Sequence, residues 1–199
     1  MKSFFKMFAD SAKEIKNIRC IAVTGVFIAI SMIIESFSID IGYAKLNFAF
    51  LAIAVIGMLF GPSIGFAAGL ACDVVGFMVH PTGAFLPLYT LVAGVQGLIY
   101  GICLYHKFGK EINAGGKDIS LFVRATVARL LDVIIINLLI NTKLNLHYGF
   151  IPDAAYGAAI KARVLKNLVE LAADLPLLFV ILPICLLSYR RMSQGRKTA

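Results

Sequence analysis

Residues 46–80 read LNFAFLAIAVIGMLFGPSIGFAAGLACDVVGFMVH and carry a single ionised side chain, Asp73. A backbone crossing lipid finds no water for its N–H and C=O groups, so such a run must be helical or part of a closed barrel. Strict two-residue alternation is absent, which selects helices. Gly61-Pro62 divides the run. Proline lacks an N–H and suits the first turn of a helix, so one span closes at 61 and another opens at 62.

The same pattern recurs on both sides, giving spans at roughly 18–38, 46–61, 62–80, 84–105, 120–142 and 163–188. The sequence therefore predicts an all-α integral membrane bundle of six transmembrane helices. It forms one domain over 1–199, with a cytoplasmic amphipathic tail at 1–17 and a basic cytoplasmic tail at 189–199. Composition agrees: 60% of the residues are hydrophobic and mean hydropathy is +0.87, against about 45–50% apolar in soluble domains.

The formal charge of +8 does not indicate nucleic acid, because the excess Lys and Arg gathers in the tails and in the 106–119 loop. Lys and Arg mark cytoplasmic segments. An even number of spans puts both ends on one side, and the bias places both termini in the cytoplasm. Loops 39–45, 80–84 and 143–162 then face outward, the last as a structured lid. Cys20, Cys72, Cys103 and Cys185 lie in apolar runs without ligand spacing and read as packing residues, with no disulfide and no metal. No cleavable leader is evident. Phe4, Phe5, Phe8, Ala12 and Ile15 repeat at helical spacing among lysines, which is either a helix lying on the anionic leaflet or a solvated tail.

Small residues recur four apart in Gly25-x-x-x-Ala29, in Gly57-x-x-x-Gly61-x-x-x-Gly65-x-x-x-Gly69 and in Ala93-x-x-x-Gly97-x-x-x-Gly101. This spacing brings helix backbones close in lipid. Most such stripes pack within a chain, but Ala22, Gly25 and Ala29 share a face of the outermost helix and can instead meet a partner subunit.

Charges inside a membrane each cost roughly 2.5–3.5 kcal/mol on insertion scales and need a reason. On the last span Arg163, Lys166, Asn167, Glu170 and Asp174 share one face. The apolar stretch below them is too short to cross the core, so that face predicts a polar pocket open to the outside. Lys166 and Glu170 also suit a simple i, i+4 pair. Asp73 reads equally as a ligand acceptor or as counter-ion to Lys166 or Arg163. Asn137 and Asn141 bind a ligand or bridge helices, and Arg129 with Asp132 reads as a deeper, self-compensating pair. His80, Thr82, Phe85 and Tyr89 sit at the outer mouth, where aromatics stack on a flat ring or form an interface belt. There is no P-loop, no H-E-x-x-H and no base placed to activate Ser63, so no catalytic set can be assembled.

In order along the chain come Phe48-Ala49-Phe50-Leu51, Gly57-Met58-Leu59-Phe60-Gly61-Pro62 and Asp73-Val74-Val75-Gly76-Phe77. Then follow Pro81-Thr82-Gly83-Ala84-Phe85-Leu86-Pro87 with Thr90, Gly97-Leu98-Ile99-Tyr100-Gly101, Asn137-Leu138-Leu139-Ile140-Asn141-Thr142 and Ala162-Arg163-Val164-Leu165-Lys166-Asn167-Leu168. Together they resemble the substrate-binding S components of energy-coupling factor (ECF) vitamin transporters, of the folate type, over nearly the whole chain after residue 18. The resemblance implies a protein of the bacterial plasma membrane that captures folate or reduced folates from outside. It also implies docking on a transmembrane coupling protein with two ATPases, so that ATP is used only by partners and the chain holds no cofactor and is no enzyme. It assigns docking to Ala22, Gly25 and Ala29, with Gly25 where relatives carry alanine, and puts Lys45 where arginine is usual. For a folate, Asp73 is the first candidate acceptor for the pterin donor edge and Glu170 the second. Arg163, Lys166 and Lys45 suit the anionic tail, and Phe48, Phe85 and Tyr89 suit the rings. An S component for another vitamin or a modified base is the neighbouring alternative, and a membrane-embedded enzyme the more distant one.

Overall fold

The computed structural model describes residues 2–36, 39–40, 45–46, 48–81, 83–105, 119–152 and 156–194, with backbone alone at 2–3, 39–40, 45–46 and 193–194. Helix α1 (Lys2–Lys13) leads through a 3-10 turn into α2 (Ile18–Ser36), followed by α3 (Phe50–Phe60), α4 (Pro62–Val79) and α5 (Pro87–Leu104). Then come α6 (Ile119–Leu131), a π-helical segment over Asp132–Ile140, α7 (Asn141–His147) and α8 (Tyr156–Gln194). Residues 39–40 and 45–46 form a two-residue antiparallel pair. Four helices among the described residues are long and apolar enough to cross a membrane: α2, α4, α5 and α8.

Local chemistry sets these boundaries. Asn17 is extended, and its side chain accepts from the Arg19 N–H at 3.1 Å, capping α2. Pro62 and Pro87 open α4 and α5. Gly61 joins α3 to α4 with φ +90, and a Cβ there would lie 2.7 Å from Tyr105 and 2.8 Å from Ser11. No side chain of its own caps α4. Ser11 of α1 does so from a distance: its hydroxyl accepts from the N–H groups of Ser63 (3.0 Å) and Ile64 (3.3 Å) and donates to the Phe60 carbonyl at 2.7 Å. The N-terminal segment is thus helical, and α1 is fastened to the α3–α4 turn.

The glycine stripes sort themselves by contact. A Cβ on Gly65 would sit 2.5 Å from the Gly97 carbonyl oxygen, and one on Gly69 would sit 2.1 Å from that of Ala93. The stripes of α4 and α5 therefore face each other, backbone on backbone. Around Gly25 nothing lies within 4 Å, and Ala22, Gly25 and Ala29 are exposed. The core is built on α3, with Phe50, Leu51, Ala54, Val55 and Met58 packed against Tyr100, Leu104, Leu121, Ala125, Leu178 and Leu182.

Tyr189 near the end of α8 meets Phe60 edge to face at 5.5 Å. One end of the bundle thus carries α1, the α3–α4 turn and the end of α8. Within segment 143–162, the described residues 143–147 finish α7, 148–152 turn, and 156–162 begin α8.

Candidate binding cavity

At the end opposite α1, a cavity of about 810 Å³ opens between α2, α4, α5, α6, the π segment and the polar part of α8. Its floor is the first turn of α3, where Ala49, Phe50 and Ile53 line it. Among the sequence-predicted residues, Asp73, His80, Phe85, Tyr89, Asn137, Lys166 and Glu170 line the cavity together.

Asp73, on α4, accepts a hydrogen bond from Thr90 of α5 at 2.6 Å. Among the described residues it joins no ion pair, so neither Lys166 nor Arg163 serves as its counter-ion. Lys166 instead meets Glu170 at 3.2 Å, one helical turn away. Arg163 does not line the cavity; its guanidinium donates to the Asn137 carbonyl at 3.3 Å. That carbonyl belongs to the π segment, where wider turns take carbonyls away from their usual i+4 donors. The Thr142 hydroxyl also donates to it, at 3.4 Å. Asn141 donates to the Asn137 side chain at 3.4 Å and stands behind the wall, as does the buried Asn167.

Phe48 packs on the apolar core, and Phe50 takes the place at the cavity expected of it. Phe48 lies before α3 begins, so it is the helix start at Phe50 that presents an aromatic ring to the opening. Phe50 carries the Arg129 guanidinium 4.0 Å over its ring. Ala22, Gly25 and Ala29 lie away from the cavity on the exposed face of α2. Thr82 and the side chain of Lys45 fall outside the described residues.

Sequence reasoning misses Glu35, Gln96, Arg129 and Phe77 as lining residues. Arg129 is 4% exposed and is held by two buried carboxylates, Asp132 and Asp174. Its Nε donates to Asp174 at 3.0 Å, and Gln96 donates to Asp132 at 3.1 Å. The expected Arg129–Asp132 pair is present, but it recruits Asp174 from α8 and reaches the cavity wall. An arginine with more N–H donors than one carboxylate can satisfy is the signal the sequence offers. A charge this deep needs more than one partner.

At the rim, Phe77 and Phe85 lie with ring centroids 5.2 Å apart. Tyr89 donates to Asn145 and stacks on Tyr148 at 5.9 Å, so α7 braces the mouth. His80 and Ser36 join α4 to α2 through a 3.1 Å hydrogen bond. The cavity thus offers flat aromatic faces, a carboxylate with hydrogen-bonding capacity left over and a lysine. It suits a flat heteroaromatic ligand with a donor edge. Among the described residues no His, Cys, Asp and Glu group is placed to hold a metal ion.

Residues 15–182 match the family described as "ECF-type riboflavin transporter, S component". The chain is 32% identical over 146 residues to "Folate transporter FolT" of Clostridium novyi (strain NT), covering 73% of this chain and 74% of that protein. It is 26% identical over 153 residues to "Folate transporter FolT" of Leuconostoc mesenteroides subsp. mesenteroides, covering 76% and 77%. Among solved structures, a crystal structure of FolT bound with folic acid superposes with a TM-score of 0.65 at 28% identity, covering 82% of this chain and 95% of that one.

Proposed function

Because the chain belongs to the S component family of ECF-type transporters, we propose that it is the folate-binding subunit of a vitamin uptake system, not an enzyme. The observation that carries this reading is the aromatic cavity in which Asp73 keeps acceptor capacity beyond its bond from Thr90. A pterin presents adjacent N–H and amino donors that one carboxylate accepts at two points, while Phe50, Phe77, Phe85 and Tyr89 suit its faces. Lys166, freed from Glu170, is the lining cation suited to the anionic tail, since Arg129 is already held by two carboxylates, and Arg163 stands behind through Asn137. The relatives named folate transporters support the same ligand.

In this reading the four long apolar helices, together with α3 and the α6–α7 column, form six spans. Both termini face the cytoplasm, in keeping with the basic tails and with α1 and the end of α8 meeting at Phe60. The protein resides in the bacterial plasma membrane and takes folate from outside. The exposed Ala22, Gly25 and Ala29 face of α2 docks on the transmembrane coupling protein, whose two ATPases supply the energy. Close backbone approach is what such a face offers in lipid.

The family description favours one second reading, riboflavin. Titration of the purified chain with folic acid, 5-formyltetrahydrofolate and riboflavin separates the two. Saturable binding of folates alone is the expected outcome; saturable riboflavin binding without folate binding would replace this reading with the second.

A further inference from the structure

The side of α1 turned away from the bundle does a second job. Ser11 is buried against the α3–α4 turn, and Ser63 of that turn donates to the Phe8 carbonyl at 3.0 Å, so α1 is clasped at two points. That clasp fixes which faces remain free. On the flank next to the packed side, Phe5 is 68% exposed, and Ala9 and Ala12 are exposed with it. Further round the helix lie the exposed Lys6 and Lys13, the latter 3.8 Å from Asp10 in a loose surface pair, with Lys16 just beyond α1. A helix turns 100° per residue, so Phe5, Ala9 and Ala12 form one narrow apolar strip with Lys6 and Lys13 along one edge and the packed face along the other.

Cation and apolar residue are arranged here as an interfacial helix requires. The clasp also sets the depth. The α3–α4 turn ends two apolar helices, and α2 begins only two residues after Lys16. α1 therefore sits at the level where spans leave the hydrocarbon. Arg190 and Arg191 of α8 arrive at the same end beside Tyr189 and Phe60, adding to the positive rim.

We propose that the Phe5–Ala9–Ala12 strip of α1 lies in an anionic lipid surface, its bordering lysines on acidic headgroups, and that Ser11 and Ser63 hold it there. The partner is acidic phospholipid, because lysines line the edge of the strip away from the bundle and an apolar side chain as exposed as Phe5 is satisfied by the acyl boundary. The inference is independent of which vitamin the cavity takes.

The chain contains no tryptophan, so Phe5→Trp gives a single emitter in the full-length protein. It is reconstituted into nanodiscs of phosphatidylcholine alone or with phosphatidylglycerol, with lipids brominated at shallow or deep positions. The expected result is blue-shifted emission quenched best by the shallow bromines in anionic discs, and a loss of that quenching in Lys6→Gln/Lys13→Gln or at high salt. Ala9→Trp, on the same strip, repeats the measurement should Phe5→Trp not assemble. Emission typical of water with full iodide access in both compositions would overturn the proposal. So would quenching indifferent to lipid charge and salt, or a blue shift appearing only when the coupling protein and ATPases are added.

Discussion

Gly97→Ala adds one methyl group where α4 and α5 touch. That Cβ would lie 2.0 Å from the Gly65 carbonyl oxygen and 2.5 Å from its carbon. An ordinary carbon–oxygen contact is about 3.3 Å, so the two backbones must part locally by about 1.3 Å. No side chain can swing away, because the obstacle is main chain. Overpacking typically costs about 1–3 kcal/mol, and a backbone obstacle belongs at the top of that range. At roughly 2–4 °C per kcal/mol for a chain of this size, the apparent melting temperature falls by about 6–12 °C. The separation also reaches the cavity, where Asp73 on α4 and Thr90 on α5 are joined at 2.6 Å, so folate affinity falls with stability. Gly25→Ala is the matched control: nothing lies within 4 Å of its Cβ, so both quantities stay at wild type while coupling to the ECF module is tested separately. Thermostability in detergent, read by size exclusion after heating, together with folate titration, measures the pair of variants. Gly97→Ala indistinguishable from wild type, or Gly25→Ala falling equally far, would refute the reasoning.

Three further outcomes are expected. Asp73→Asn keeps the shape and the bond to Thr90 but loses the charged acceptor, weakening folate roughly ten- to hundred-fold in a binding titration while the melting temperature holds. Arg129→Met leaves Asp132 and Asp174 buried without their cation, costing about 3–5 kcal/mol in unfolding experiments; Arg129→Met combined with Asp132→Asn and Asp174→Asn recovers much of that loss. Ser11→Ala removes three hydrogen bonds from the α3–α4 turn and lowers stability by about 1–2 kcal/mol without changing folate affinity.

Much of this architecture is legible in the sequence because lipid removes alternatives. An apolar run must be a helix, Gly61-Pro62 must break one, and charges on the last span must face protein. The Asn167, Glu170 and Asp174 face is indeed buried. What one helix at a time cannot supply is its rotation relative to its neighbours. Phe48 and Phe50 are equally aromatic, and only the packing of α3 on α5 and α8 decides that Phe50 reaches the cavity. Arg129 finds Asp132 by spacing alone, but Asp174 lies 45 residues away, beyond any local pattern. The Ser11 cap spans a similar gap. A serine in a polar tail looks like a solvated residue until the turn it serves is folded beside it. The π segment escapes notice because its composition, from Asp132 to Ile140, is that of an ordinary apolar helix.

α3 is 11 residues long, about 16 Å of helix, roughly half the hydrocarbon thickness. Its first turn lines the cavity, so on the proposed topology a vitamin held against Ala49 and Phe50 would lie at about mid-bilayer. Below it, Phe50 to Gly61 packs against α5, α6 and α8. On that reading, a rearrangement driven by partner ATPases would have about half a membrane left to traverse, and the shortness of α3 creates that head start.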